Sequence, residues 1–418
     1  MRCTISRALL LRISLTSSFD LETIIIANAQ YWLDYLRGIP EDSTLVDADL
    51  EGAATALDAA ISIPAAWHLM RPLITVLHPH MKRRGPWTGW DTFLHYLVLQ
   101  VQHHADQEMQ LACLTRLGEL QHQYGVYQEA IVTYRCAWRL SRQINDRFWL
   151  AVTFSNLGDL YRIRGDFWRA EILCNNACDL FFALGDIKRL AYTENNLGLI
   201  SLYQRRWHIA LPHFKRAEKL FRRVDDDYGL AMVWQNLGVL YNYIQRSREA
   251  LEYLTLALPY YEKTGDEYNI AKTYLNIGNT CLTCDDFECA EHASLQAEAM
   301  YMQLEDYPNL ARVRHNLGMI YTNTTNWQEA ERCLLWAVEQ WRNQQDNWNL
   351  ANTMGELAAM YITWGQQQQA LYYLDAVEEL IAERNGPSYQ GLWRELAERR
   401  RRLAILQQNL LPDPSRVG

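Results

Sequence analysis

The 418-residue chain carries a net charge of −9, with 40 Lys and Arg and 49 Asp and Glu dispersed along it, so nothing in its charge favours nucleic acid or an anionic membrane surface as a partner. Its 49% hydrophobic content, with 15 Trp and 24 Tyr against 20 Gly and 11 Pro, excludes a disordered or linker-rich chain and points to ordered, helix-rich structure. Single cores stop growing near about 250–300 residues, so a chain of this length is either several domains or a repeat array.

In chain order, residues 1–21 read as a disordered or signal-like N-terminus. Met1 to Ser18 imitates an export signal with Arg2 and Arg7, but Arg12 splits its apolar run and no small-residue cleavage site follows. Residues 22–69 hold two helical stretches, around Leu21 to Leu36 and Leu50 to Ile61, separated by the turn-rich Gly38-Ile39-Pro40-Glu41-Asp42, and read as an N-terminal helical cap. Residues 70–109 keep part of a pattern that runs unbroken further on. Leu77, Gly85 and Asp106 fit it, while His78 stands in place of a glycine and Trp90 in place of an alanine.

From residue 110 to 389 the pattern is complete through seven units. Leu117-Gly118 returns as Leu157-Gly158, Leu197-Gly198, Leu237-Gly238, Ile277-Gly278, Leu317-Gly318 and Leu357-Ala358, a period of 40 residues (118 to 158, and so on) without insertion. Alanine recurs at 130, 170, 210, 250, 290, 330 and 370, and aspartate at 106, 146, 186, 226, 266, 306 and 346. A glycine inside a helix is destabilising by about 0.5–1 kcal/mol relative to alanine, so its return predicts a close approach from a neighbour, with the alanine column as its facing partner. Gly158 and Ala170 flank the break at Gly165-Asp166, which makes the unit a helix, a tight turn and a second helix. The aspartate just ahead of each new apolar run predicts an N-cap.

These residues, in particular Asn156-Leu157-Gly158-x-x-Tyr161 followed by Gly165-Asp166-Phe167-x-x-Ala170 and Ala177, resemble a tetratricopeptide repeat. The 40-residue period is similar to the longer-helix form of Pins-type scaffolds and bacterial regulatory arrays. The family's proline near the end of the second helix is absent. The resemblance implies an all-α solenoid, a right-handed superhelix of tandem helical hairpins, whose role is protein interaction. Asn385-Gly386-Pro387 breaks the pattern, residues 390–411 read as an amphipathic capping helix, and 412–418 as a flexible tail.

The same resemblance implies that, counting Ala151 as position one, positions 2, 5, 6, 9, 12 and 13 of each first helix face a concave groove. Position six holds Asn156, Asn196, Asn236, Asn276 and Asn316, with Arg116 and Glu356 at the ends. An asparagine amide offers a donor and an acceptor together, which suits the backbone of an extended peptide; the alternative is that these side chains bond neighbouring helices and keep the spacing. Tyr192, Leu199, Leu202, Tyr203, Val239 and Tyr243 make the middle of the face apolar, and Lys272, Arg312 and His315 make the next part cationic, which fits an apolar segment with an acidic stretch. Some tetratricopeptide modules grip a terminal carboxylate. Lys272, Asn276 and Asn316 match three of those places, but Asn352 and Glu356 do not complete the set.

Cys281, Cys284, Cys289 and His292 have metal-like spacing, but Cys281 replaces the packing tyrosine seen as Tyr161, Tyr241 and Tyr321, so no metal is expected there. The nine cysteines fall mostly inside predicted helices and read as free thiols of a reducing compartment, with a cytoplasmic location. Histidines 68, 78, 80, 95, 103 and 104 show no ligand spacing, and Arg399 to Arg402 reads as the exposed face of a cap. No phosphate loop, dinucleotide fingerprint or nucleophile elbow occurs, so no catalytic residue, cofactor or enzymatic activity is expected. The expected partner is a protein or peptide, with no nucleic acid and no membrane. A regulatory module acting with a signalling or transcriptional effector in trans is the competing reading.

Overall fold

The computed structural model describes residues 21–39, 47–83, 90–103, 106–382 and 387–409. The signal-like segment through Asp20, Pro40 to Asp42, Gly85, His104, Asn385-Gly386 and the tail 412–418 lie outside them. The described residues are all α apart from one 3-10 turn at Pro64–Ala66. They fall into two compact units, Met1–Asp226 and Asp227–Gly418. Among the described residues no helix is long and apolar enough to cross a membrane.

The first unit begins with α1 (Leu21–Arg37), α2 (Asp47–Ala60), α3 (Trp67–Arg83) and α4 (Trp90–His103). Trp32, Leu57, Met70, Leu73, Trp90 and Leu94 share one core with Met109 and Leu117, so these helices bury the open end of the array. Three hairpins follow: α5 (Gln107–Gln123) with α6 (Tyr127–Gln143), α7 (Arg147–Ile163) with α8 (Phe167–Leu184), and α9 (Ile187–Tyr203) with α10 (Trp207–Arg223). The second unit has four hairpins: α11 (Asp227–Tyr243) with α12 (Ser247–Thr264), α13 (Glu267–Thr283) with α14 (Phe287–Gln303), α15 (Tyr307–Asn323) with α16 (Trp327–Asn343), and α17 (Asn347–Trp364) with α18 (Gln367–Ala382). It ends with α19 (Pro387–Asn409), which packs on both α17 and α18.

The turn chemistry explains the constant period. A left-handed residue recurs every 20 positions, at Gly125, Asn145, Gly165, Gly185, Arg205 and Asp225 in the first unit and from Gln245 to Gly365 in the second. The residue after it sends its backbone N–H back five positions, as from Asp146 to the Ser141 carbonyl at 2.9 Å, closing the helix just ended. The side chain of the same Asp146 accepts from the Trp149 N–H at 3.0 Å and opens the helix just begun. Asp106, Asp186, Asp266, Asp306 and Asp346 cap first helices in the same way. Asp226, in the same column, is buried and takes the Tyr192 hydroxyl at 3.2 Å and Lys188 at 3.1 Å.

The glycine column answers to a side chain as well as to the alanine column. A Cβ on Gly158 would lie 3.3 Å from the Ala170 carbonyl but 2.5 Å from Cys174 Sγ, four residues further on. Tyr134, Phe214, Leu254, Ser294 and Leu334 fill the equivalent place under Gly118, Gly198, Gly238, Gly278 and Gly318. Each glycine is therefore a notch in a first helix through which a second-helix side chain passes.

Two consequences are measurable. Gly198→Ala would put a methyl 2.5 Å from Cε1 of the fully buried Phe214, and this clash should outweigh the roughly 0.5–1 kcal/mol of helix propensity gained. A net loss of about 1–3 kcal/mol is expected in urea unfolding, partly recovered in Gly198→Ala/Phe214→Leu. Conversely, Thr325 is a β-branched residue at φ 60°, so Thr325→Gly should raise the unfolding midpoint, relief of about 1–2 kcal/mol of backbone strain exceeding glycine's entropic penalty.

Candidate functional site

Within each unit consecutive first helices touch, α5 with α7 and α7 with α9, then α11 with α13, α13 with α15 and α15 with α17. The bonds that stitch them run mainly between positions five and three. Ser155 pairs with Thr193 at 3.1 Å, Gln235 Nε2 donates to Thr273 Oγ1 at 2.8 Å, and His315 Nδ1 meets Thr353 Oγ1 at 3.0 Å. That job is therefore largely done one residue away from the asparagine column.

In the first unit Asn156 and Asn196 are half-buried on α7 and α9. The Asn156 amide nitrogen is shielded from solvent yet makes no hydrogen bond. Position nine carries carboxylates. Glu119 accepts from His78 at 3.1 Å, with Arg116 3.8 Å away, and Asp159 accepts from Arg162 at 2.6 Å, with His122 at 3.7 Å. His78 is itself buried and takes an N–H from Trp90 at 3.3 Å, which makes it a packing histidine. Arg162 lies 5.6 Å from the ring centre of Tyr203, which is 59% exposed. Tyr192 is committed to the fold, its ring edge-on to Phe221 at 4.8 Å and its hydroxyl on Asp226.

In the second unit Asn236 and Asn316 are buried and Asn276 half-buried. Asn316 Nδ2 donates to Asn279 Oδ1 on the preceding first helix at 2.5 Å, so this member of the column does bond a neighbouring helix. The Asn276 amide nitrogen makes no hydrogen bond. Tyr243 is 60% exposed and Arg312 is exposed, while Lys272 is half-buried. At position six of the last repeat, Glu356 pairs with Arg399 of α19 at 2.5 Å, and Gly355 leaves the room that the guanidinium occupies. Arg399 is therefore not part of an exposed basic face, and the sequence pattern had no means of pairing a residue in the cap with one in the groove. Arg400 likewise pairs with Asp375 at 2.7 Å and with Glu378.

A family model described as tetratricopeptide repeat matches residues 189–263 and 310–382. Among solved structures the chain is similar to a Signal Transduction ATPase with Numerous Domains protein with a tetratricopeptide repeat sensor from Pyrococcus horikoshii, at 15% identity and a TM-score of 0.67 over 92% of this chain and 55% of that one. It thus spans about half the length of that protein. The quorum sensor NprR from B. thuringiensis gives 14% identity and a TM-score of 0.59 over 87% and 100% of the two chains. A Rap protein complexed with Competence and Sporulation Factor gives 13% and 0.57 over 90% and 99%. No curated protein matches the sequence significantly. This chain carries tetratricopeptide repeats.

Its cysteines correct one expectation. Cys281 and Cys289 are joined as a disulfide across the α13–α14 turn, their Cα atoms 5.8 Å apart, so these two are not free thiols. They occupy the places where other repeats set a tyrosine opposite a charged residue, such as Tyr161 with Arg169 at 5.7 Å, and two positions built to touch can bond when both are cysteine. Burial pushes the Cys113 and Cys178 thiols up to about 12 and Cys333 to about 11, leaving them unreactive at neutral pH. Among the described residues no three His, Cys, Asp or Glu side chains stand together as a metal site.

His315 corrects another, since it adds no positive charge to this tetratricopeptide face. Burial holds its pKa below the ordinary 6.5, with Glu356 opposing and Arg399 reinforcing the shift. A histidine depressed in the folded state adds stability above its unfolded pKa that is lost as pH falls from there toward the folded value. His315→Gln, which keeps a hydrogen-bonding group for Thr353, should therefore show a smaller drop in thermal midpoint than wild type between pH 7.5 and 5.5. Equal drops would show that His315 does not set the acid sensitivity.

Proposed function

We propose that this chain is a protein-interaction module that takes an extended peptide segment along the face of its first helices. The observation that carries the reading is a stripe repeated in both units: Asn196 with Tyr203 seven residues later on α9, and Asn236 with Tyr243 on α11. Seven residues is two helical turns, so an amide and an exposed tyrosine share one side of one helix. The amide can meet a peptide backbone whatever its sequence, and the tyrosine can cover an apolar anchor while keeping its hydroxyl wet. The position-five and position-three pairs support the reading, because they hold neighbouring first helices together while the Asn156 and Asn276 amide nitrogens make no hydrogen bond.

The similar structures include a tetratricopeptide sensor, a quorum sensor and a Rap protein in complex with Competence and Sporulation Factor. These likenesses favour, as a second reading, a regulatory module whose signalling or transcriptional effector is a separate chain. The two readings share the face and differ in what the bound partner then does.

The test is capture of partners from native lysate by wild type and by two folded variants, Asn196→Ala/Tyr203→Ala and Asn236→Ala/Tyr243→Ala, with affinities then measured on purified partner. Each double variant should weaken binding by about 1–3 kcal/mol, roughly 5- to 150-fold. Unchanged affinity in both would move the binding surface to the second helices, the loops or the caps.

A further inference from the structure

Three cysteines meet at the joint between α13 and α14. The backbone carbonyl of Cys281, in the last turn of α13, accepts the Asp286 N–H at 3.0 Å and the Cys284 thiol at 3.4 Å. The Asp286 carboxylate in turn accepts the Cys289 N–H at 3.1 Å in the first turn of α14. The residue that closes one helix and opens the next therefore holds both halves of the disulfide, with a third sulfur beside it. Cys284 Sγ also meets the Thr280 carbonyl at 3.2 Å, so it lies back over the turn that carries Cys281. The three differ in access: Cys281 is fully buried, Cys289 half-buried and Cys284 exposed.

Disulfides form by attack of a thiolate on a sulfur it can reach, so the rate follows access as well as ionisation. A reagent arriving from solvent meets Cys284 before either sulfur of the bonded pair. Cys284 and Cys281 are three residues apart, the spacing of neighbours on a helix surface, and Cys289 is already in bonding contact with Cys281. Cys289 also sits in the first turn of α14, where the helix N-terminus favours a thiolate. Among the described residues the other exposed free thiol is Cys136 on α6, which has formed no disulfide. Charge defines the reagent. Between Lys272 and Arg312 the chain has no Lys or Arg, while Asp285, Asp286 and Glu288 stand exposed around the thiol, so a cationic disulfide is drawn to it and an anionic one repelled.

We propose that Cys284, Cys289 and Cys281 form a thiol–disulfide exchange site, which takes a small cationic disulfide at the surface and stores its oxidation as the Cys281–Cys289 bond. In the reduced chain the Cys284 thiolate attacks one sulfur of the reagent, whose S–S bond breaks, and one half leaves as a thiol. The Cys289 thiolate attacks Cys284 Sγ and expels the second half. Cys281 then attacks Cys289 Sγ and returns Cys284 to a thiol. One small disulfide is reduced to two thiols, which carry off the protons of Cys281 and Cys289, and those two cysteines are oxidised to one disulfide. The bond ties the end of α13, the helix that carries Asn276, to α14.

The test uses the full chain, reduced and then freed of reductant, mixed with cystamine and quenched by alkylation at intervals, with its cysteine peptides mapped by mass spectrometry. A cysteamine adduct on Cys284 should rise and then fall as Cys281–Cys289 forms, while the adduct on Cys136 only accumulates. Cys284→Ser, a small change at an exposed helix end, should form Cys281–Cys289 roughly tenfold or more slowly. The transient adduct is read on wild type, so the route is tested whether or not that variant folds. Dithiodipropionate, an anionic disulfide of similar size, should react with Cys284 more slowly than cystamine once each rate is divided by the reagent's rate with a short cysteine peptide. An unchanged rate in a folded Cys284→Ser, an adduct appearing first on Cys289, or an adduct on Cys284 that never passes on would overturn the exchange site. Equal normalised rates for the two reagents would overturn its preference for a cation.

Discussion

The structure hangs on a joint of two adjacent residues. A left-handed residue ends one helix, and the residue after it closes that helix through its backbone N–H and usually starts the next through its side chain, as Asp146 does with Ser141 and Trp149. Because both bonds belong to one residue, no slack remains to absorb an insertion. Described helices from α5 to α17 are accordingly 17 or 18 residues long, and the phase of each apolar stripe carries over to the next helix. Within a unit, position six of one first helix can then stand beside position nine of its neighbour, as Asn316 and Asn279 do.

Constant phase divides labour among neighbouring columns. Position eight is the glycine notch and position three the threonine of the inter-helix bonds, so both serve packing. Position six keeps its asparagine in five of seven repeats, and positions nine and thirteen are left to vary. The same notch that admits Phe214 or Leu334 as plain core admits Tyr134 as a polar group delivered from the helix behind.

The 40-residue period made the hairpins legible from residue 107 onward, and the aspartate column announced its caps correctly. The 20-residue rhythm of the turns was hidden, because five of the thirteen left-handed positions from 125 to 365 are glycine and the rest include Asn145, Arg205 and Thr325. A joint that tolerates any residue at the strained position leaves a geometric signal without a compositional one. The face was half legible. Spacing placed Asn156, Asn276, Tyr203 and Tyr243 on the first helices, but it could not show that Tyr192 is tied to Asp226, that His315 is half-buried and bonded to Thr353, or that Glu356 meets Arg399. Each of those depends on a residue 34 to 43 positions away, where one repeat touches the next or the cap touches the last, and a column read down a single register does not see across registers.

Those pairings also change what the face can recognise. Its conspicuous charges are largely answered from within the chain: Glu119 by His78, Asp159 by Arg162, Glu356 by Arg399. A paired charge contributes little long-range field but still fixes the direction of its remaining lone pairs and N–H groups. On the reading proposed above, selectivity on such a surface comes from the geometry of hydrogen bonds and from exposed aromatic rings, with net charge of the partner a secondary matter. That follows from the same constraint as the fold, since phase-locked helices place each donor and acceptor at a fixed spacing, and fixed spacing is what a sequence-selective hydrogen-bonding surface requires.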